Sequence, residues 1–153
     1  MTKNILDFEC IGIKDGDVFP LKNTLRGSNL SPSFQIKNLS SDAVTFIITL
    51  EDLSHPIKNF THWIIWNIPA SNIVPEAIPA GKRTINGALQ GIGYGLHRYA
   101  GPKPPKCKTH KYRFTIYVLD CSLDLNPFSL KRTVLRKADK HIIQQGSICG
   151  YFE

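Results

Sequence analysis

One carboxylate, two imidazoles and a phenol carry the suggestive chemistry of this sequence: Asp52, His62, His110 and Tyr112. Asp52 follows an apolar, β-branched run, His62 opens another, and His110 and Tyr112 stand two apart at the start of a third, so both project from one face of a strand. Beside them in sequence runs Gly101-Pro-Lys-Pro-Pro105. Proline fixes its own φ and has no N–H, so between 102 and 105 only Lys103 offers a backbone donor, and the loop has little conformational entropy to lose. Imidazole, phenol and amide groups all donate to anion oxygens, whereas an aspartate repels them. Asp52 therefore needs another role: accepting a histidine N–H, which fixes the tautomer and favours the cation, or meeting a ligand's ammonium group.

Other chemistries are less supported. Asp52, His62 and His110 could ligate a metal in an open site, which would make a metal-assisted hydrolase the third reading, but they show no compact ligand spacing. No Gly-x-Ser-x-Gly elbow is present, and Gly91-Ile-Gly93-Tyr-Gly95 neither follows an apolar strand nor opens a clear helix, as a nucleotide fingerprint requires. Cys10, Cys107, Cys121 and Cys149 form no C-x-x-C pair, so free thiols are expected; Cys107, among lysines, would be reactive only if they lie close to it.

The elements that must position these groups are strands. Residues 33–37, 43–50, 62–68 and 112–118 are rich in β-branched and aromatic residues, the second nearly continuously so, which predicts a central strand. Long Gly/Pro/Asn/Ser-rich connections favour a Greek-key β-sandwich over a meander. Leu130, Val134, Leu135, Ala138 and Ile142 follow helical spacing with basic residues mostly turned away, predicting an amphipathic C-terminal helix docked on the sandwich; residues 146–151 would add a short last strand. The expected fold is mostly β with a few peripheral helices, in one domain spanning 1–153.

The chain's 153 residues suffice for one core. Its net charge of +7 is concentrated: eight Lys and Arg side chains but no acid lie between Glu76 and Asp120. Such a field attracts any anion, whether phosphate, lipid headgroup, nucleic acid or acidic protein. Nucleic acid ranks low among these, because Trp63 and Trp66 lie in an apolar strand where packing competes with base stacking. Asp7 and Glu9 interrupt the apolar segment a secretory signal would need, and no apolar run approaches membrane-spanning length, so a soluble, cytoplasmic protein with at most peripheral membrane contact is expected.

The order of short motifs resembles the phosphatidylethanolamine-binding protein family, particularly its bacterial Raf-kinase-inhibitor-like branch. Asn29-Leu-Ser-Pro32 is similar to the family's N-x-S-P, and Asp52-Leu-Ser-His-Pro56 to D-P-D-A-P. His62-Trp63 with Asn67-Ile-Pro69, Gly101-Pro-Lys-Pro-Pro105, His110-Lys-Tyr112, Val118-Leu-Asp120 and Gly150-Tyr151 follow in the family's order. The resemblance implies a β-sandwich with a pocket for phosphate-like groups and lipid headgroups, formed by Asp52, Pro56, His62, Gly101, Lys103, Pro104, His110 and Tyr112, without catalysis, cofactor or metal. It also implies a rival role in restraining kinases or other signalling enzymes through an acidic or phosphorylated protein partner, and a possible homodimer. Three departures matter: Ser54 replaces an acid, which makes the pocket friendlier to dianions, Lys103 stands where relatives often carry a small residue, and Lys106-Cys-Lys-Thr109 is more basic than the resemblance implies.

Overall fold

The computed structural model describes residues 4–153, so the first three residues of the acid-bearing N-terminal segment lie outside it. Its elements are β1 (Asn4–Ile5), β2 (Phe8–Cys10), β3 (Phe34–Ile36), β4 (Thr45–Asp52), β5 (Phe60–Pro69), β6 (Ile73–Val74), β7 (Leu89–Gln90), β8 (His110–Leu119), α1 (Lys131–Ala138) and β9 (Ile142–Phe152), with single 3-10 turns at 21–23, 85–87 and 139–141. A six-stranded sheet runs β1-β9-β8-β4-β5-β7 and a three-stranded sheet runs β2-β3-β6. β4 and β5 are neighbours in sequence and space, but β8 returns to the other side of β4. That is the crossing a Greek key requires.

All eight residues of β4 are buried. The cause is two-sided covering. Phe46, Ile48 and Leu50 face the small sheet, packing with Phe34, Trp63, Phe114 and Ile116, while Ile47 faces outward with Ile64, Trp66 and Leu119 beneath Val134 and Ala138 of α1. A strand covered on both faces loses the polar half of its alternation. Both tryptophans are packing residues, and the Trp63 indole N–H donates to Gln90 Oε1 at 2.8 Å.

Two expectations near the C-terminus need correction. The helix is shorter than its apolar spacing suggests: Leu130 is exposed and in extended conformation, giving only its carbonyl to the first turn, and Ile142 already belongs to β9. Lys131 also turns inward rather than away, its side chain only 11% exposed against Glu51. The last strand is longer, eleven residues paired along the whole of β8. Gly146 and Gly150 read as breakers in sequence, but they sit inside this strand because a Cβ at Gly146 would come within 2.4 Å of the Leu6 carbonyl and one at Gly150 within 2.5 Å of the Phe19 ring. The first close approach seats β1 parallel beside β9. Among the described residues no helix is long and apolar enough to cross a membrane.

Candidate functional site

Strand register brings the candidate residues together. Asp52 ends β4 opposite Tyr112 of β8 and Phe60 of β5. Leu50 pairs with Trp63 but Glu51 with Thr61, so His62 is the extra residue of a β-bulge. In a regular strand His62 and Trp63 would face opposite sides; at the bulge Trp63 enters the core while His62 lines a cavity at the end of the sandwich.

The imidazoles are tied back in different ways. His62 Nδ1 lies 3.0 Å from the Ala100 carbonyl oxygen and 3.2 Å from that of Gly101, and the ring stacks on Tyr94 with centroids 5.1 Å apart. His110 Nδ1 is 2.7 Å from Asp52 Oδ2. The other carboxylate oxygen accepts the Ser54 N–H at 2.9 Å, so both oxygens of Asp52 already have protein donors, and the role of orienting a histidine is the one this geometry fits. Burial lowers the basicity of His62, opposed by the Ala100 hydrogen bond and by Asp52.

The proline loop is held from behind by residues 23–30. Asn29 Oδ1 accepts the Gly101 N–H at 2.8 Å while its amide donates to the Tyr99 carbonyl at 3.0 Å; Leu25 N–H donates to the Pro102 carbonyl, and the Arg26 guanidinium caps that of Pro104. Asn29 adopts a φ of 55°, a left-handed conformation asparagine tolerates better than most residues. Gly101 is required by space, since a Cβ there would lie 2.1 Å from the Asn23 carbonyl oxygen.

The resulting cavity, of about 720 Å³, is lined by Asp52, Pro56, His62, Lys103, Pro104 and His110 as expected. Two expected residues do not line it. Gly101 stands behind the wall, where its carbonyl holds His62. Tyr112 is fully buried against Phe19, His62 and His110; its hydroxyl lies beside Asp52 and the Lys103 amide without closing a hydrogen bond to either. Burial, then the neighbouring carboxylate, pushes that phenol well above its ordinary range, so it remains a donor.

Ser54, Pro105, Lys106 and Lys108 also line the cavity, as do Arg26, His55, Phe60 and Tyr94, which went unassigned in the sequence. His55 stacks on Phe60 at 3.9 Å between centroids. Nothing local marks Arg26, which reaches the site only through the fold. Tyr94 had a signal, an aromatic residue between glycines: Gly91 and Gly95 allow close backbone approach to Ser129 and Arg98, and the Tyr94 and Gly95 N–H groups bond the Thr61 and His62 carbonyls. The lining thus holds Arg26, Lys103, Lys106 and Lys108 against one carboxylate. Cys107 is exposed at the loop tip, whereas burial pushes the Cys10 thiol up to about 12. Among the described residues, the set of three whose ligand atoms approach closely enough for a metal is Asp120, Cys121 and His141, at the far end of β8, and not Asp52, His62 and His110.

The fold is a two-layer β-sandwich with a basic, imidazole-lined cavity at one end. The model of the phosphatidylethanolamine-binding protein family matches residues 11–153, and the chain belongs to that family. It is 34% identical to a UPF0098 protein of Pyrococcus abyssi over 97% of this chain and 93% of the relative, and 30% identical to the UPF0098 protein YbhB of Escherichia coli over 92% and 95%. Its fold is similar to the crystal structure of a putative phosphatidylethanolamine-binding protein homologue, CT736 of Chlamydia trachomatis, with a TM-score of 0.85, 25% identity and 99% of both chains covered. Escherichia coli YbcL, described as a member of the mammalian family, gives the same TM-score and identity over 97% and 98%.

Proposed function

We propose that this protein binds a phosphate-type oxyanion, free or on a headgroup, at the Asp52/His62/His110 cavity, without catalysis. The supporting observation is the pair of buried imidazoles whose Nδ1 atoms are tied to the protein, leaving their Nε2 edges for a ligand, beneath a rim carrying Arg26, Lys103, Lys106 and Lys108. With Asp52 holding the Nδ1 proton of His110, Nε2 donates to an anion when the ring carries a second proton. The cations raise the local concentration of the anion and restrain it. The proposed role is one of binding alone, in a cytoplasmic setting suited to four free cysteines.

Calorimetric titration with phosphate and with phosphoethanolamine, for the wild type and for His110→Ala, tests the reading. Micromolar to millimolar binding that weakens at least about tenfold in the variant is expected. Equal affinities, or no binding by the folded wild type, overturn it.

A second reading, a regulator that meets an acidic or phosphorylated protein, draws on the exposed run Lys106-Cys107-Lys108-Thr109 at the cavity mouth. Capture of a partner at low salt and its release as salt screens the charges would favour it.

A further inference from the structure

We propose that His62 is the hydrogen-bond acceptor of this cavity, so that its ligand must bring a proton on oxygen: hydrogen phosphate or a phosphomonoester with a P–OH, in preference to proton-free oxyanions such as sulfate or a phosphodiester. The inference rests on the anion-binding reading and narrows it to a chemical class.

The tautomer follows from geometry. Nδ1 of His62 faces two carbonyl oxygens, at 3.0 and 3.2 Å, and a carbonyl oxygen only accepts; the ring proton is therefore on Nδ1. A neutral imidazole has one N–H, so Nε2 presents a lone pair, and among the described residues no protein group donates to it. The surroundings keep the ring neutral. It is buried, stacked on Tyr94 and edge-on to Tyr112, with His55 nearby, and the cations Arg26, Lys103, Lys106 and Lys108 share its cavity; Asp52 is the single opposing charge, and its oxygens are committed to His110 and Ser54.

Everything else around the cavity that can bond an anion is a donor. A ligand that only accepts satisfies those donors but sets one oxygen lone pair against the lone pair of His62. A ligand with one O–H satisfies both kinds of group at once. Sites built to bond a ligand hydroxyl reject the analogue lacking it because a buried polar atom is left without a partner. Near neutral pH orthophosphate keeps a proton and sulfate keeps none, while the two match in size and shape.

Calorimetry of the full chain near neutral pH and at low ionic strength, with phosphate, sulfate, methyl phosphate and dimethyl phosphate, decides the point. Phosphate is expected to bind at least about tenfold more tightly than sulfate, with dimethyl phosphate near sulfate; methyl phosphate, whose last proton leaves at about pH 6, approaches phosphate only in mildly acid buffer, where it keeps its P–OH; His62→Gln, whose amide both donates and accepts, narrows the phosphate-to-sulfate ratio to within about threefold. Sulfate or dimethyl phosphate binding as tightly as phosphate, with all affinity lost in His110→Ala, overturns this inference but leaves the anion site standing. No binding of any of the four overturns the site itself. Should His62→Gln fail to fold, nitrogen-15 spectra of the wild-type histidines still decide: a protonated Nε2 on His62 in the phosphate-free protein overturns the inference.

Discussion

Replacing Asp52 by asparagine should reverse the proton arrangement of His110, and the cost can be worked from the contacts. The carboxylate accepts from two donors, the Ser54 N–H at 2.9 Å and His110 Nδ1–H at 2.7 Å. An asparagine has one acceptor oxygen. Given to Ser54, it leaves the amide NH₂ facing His110, which must then expose a lone pair at Nδ1 and carry its proton on Nε2. A charge-assisted bond of about 1.5–3 kcal/mol becomes a neutral one of about 0.5–1.5, so Asp52→Asn should lose about 1–2 kcal/mol of stability. The effect on binding is separate. When the His110 ring carries its second proton, an anion at Nε2 sits roughly 4 Å from the imidazolium charge and roughly 7.5 Å from the carboxylate; at an effective dielectric of about 20 these give about 4 kcal/mol of attraction and about 2 of repulsion, a net of about 2. In the variant both charges vanish while the Nε2–H donor remains. Phosphate affinity should fall about tenfold to thirtyfold at low salt rather than disappear. Urea unfolding, calorimetry and nitrogen-15 spectra of the histidines measure the three parts. Unchanged phosphate affinity, together with an Nδ1 proton still on His110, would refute the reasoning.

Gly101→Ala should destabilise by about 2–4 kcal/mol in urea and weaken phosphate binding, because a Cβ only 2.1 Å from the Asn23 oxygen pushes the loop back by roughly 1 Å and withdraws a carbonyl from His62. Glu51→Gln should cost about 3 kcal/mol without altering the cavity: burial raises the Glu51 carboxyl, but the hydrogen bonds from Lys131 and Arg113 outweigh this and hold it below its ordinary range, with Arg113 discounted for its 37% exposure. Its contribution is present above the ordinary glutamate value and disappears as pH falls through the lowered one, so the variant should also lose part of the acid limb of its stability profile. His62 is less basic in the fold than in the unfolded chain, so below its ordinary value of 6.5 the unfolded state binds more protons and stability declines with falling pH. Thermal melts between neutral and mildly acid pH should show this decline, and His62→Gln should flatten it.

The strand cores were legible because β4 and β8 carry the residues that a covered pleated surface selects, and the site's chain of motifs was legible because each sits at a strand end or in the proline loop. The rest of the site depends on contacts made across the fold. Tyr112 alternates with Phe114 and Ile116 and was read as a wall residue, but the same alternation takes it fully into the core. Arg26 reaches the cavity from just before the Asn29-Leu-Ser-Pro32 motif, guided by the Pro104 carbonyl, a contact nothing local announces. Gly146 and Gly150 shortened the expected last strand because a glycine required for close approach looks, in sequence, the same as one required for a turn. Leu130 fits the apolar stripe by spacing, yet it precedes the helix and faces solvent.

Of the two register shifts in β5, the one at His62 separates its core stretch from its cavity end. Toward Pro69 the count is set by Trp63 and Ile65 in the core; toward Phe60 it is set by the cavity, and the two agree only because one residue is left over between them. Side chains near the junction can be exchanged with the count intact, at the price of their own contacts. Removing the left-over residue closes Thr61 onto Trp63 as a regular ladder and takes the imidazole's place away, and adding one widens the bulge and strains the pairing of Phe60 and Thr61. The cavity is therefore more tolerant of changes in identity at this strand end than of changes in length, and the spacing between Asp52 and Trp63 is as much a part of the site as the residues that line it.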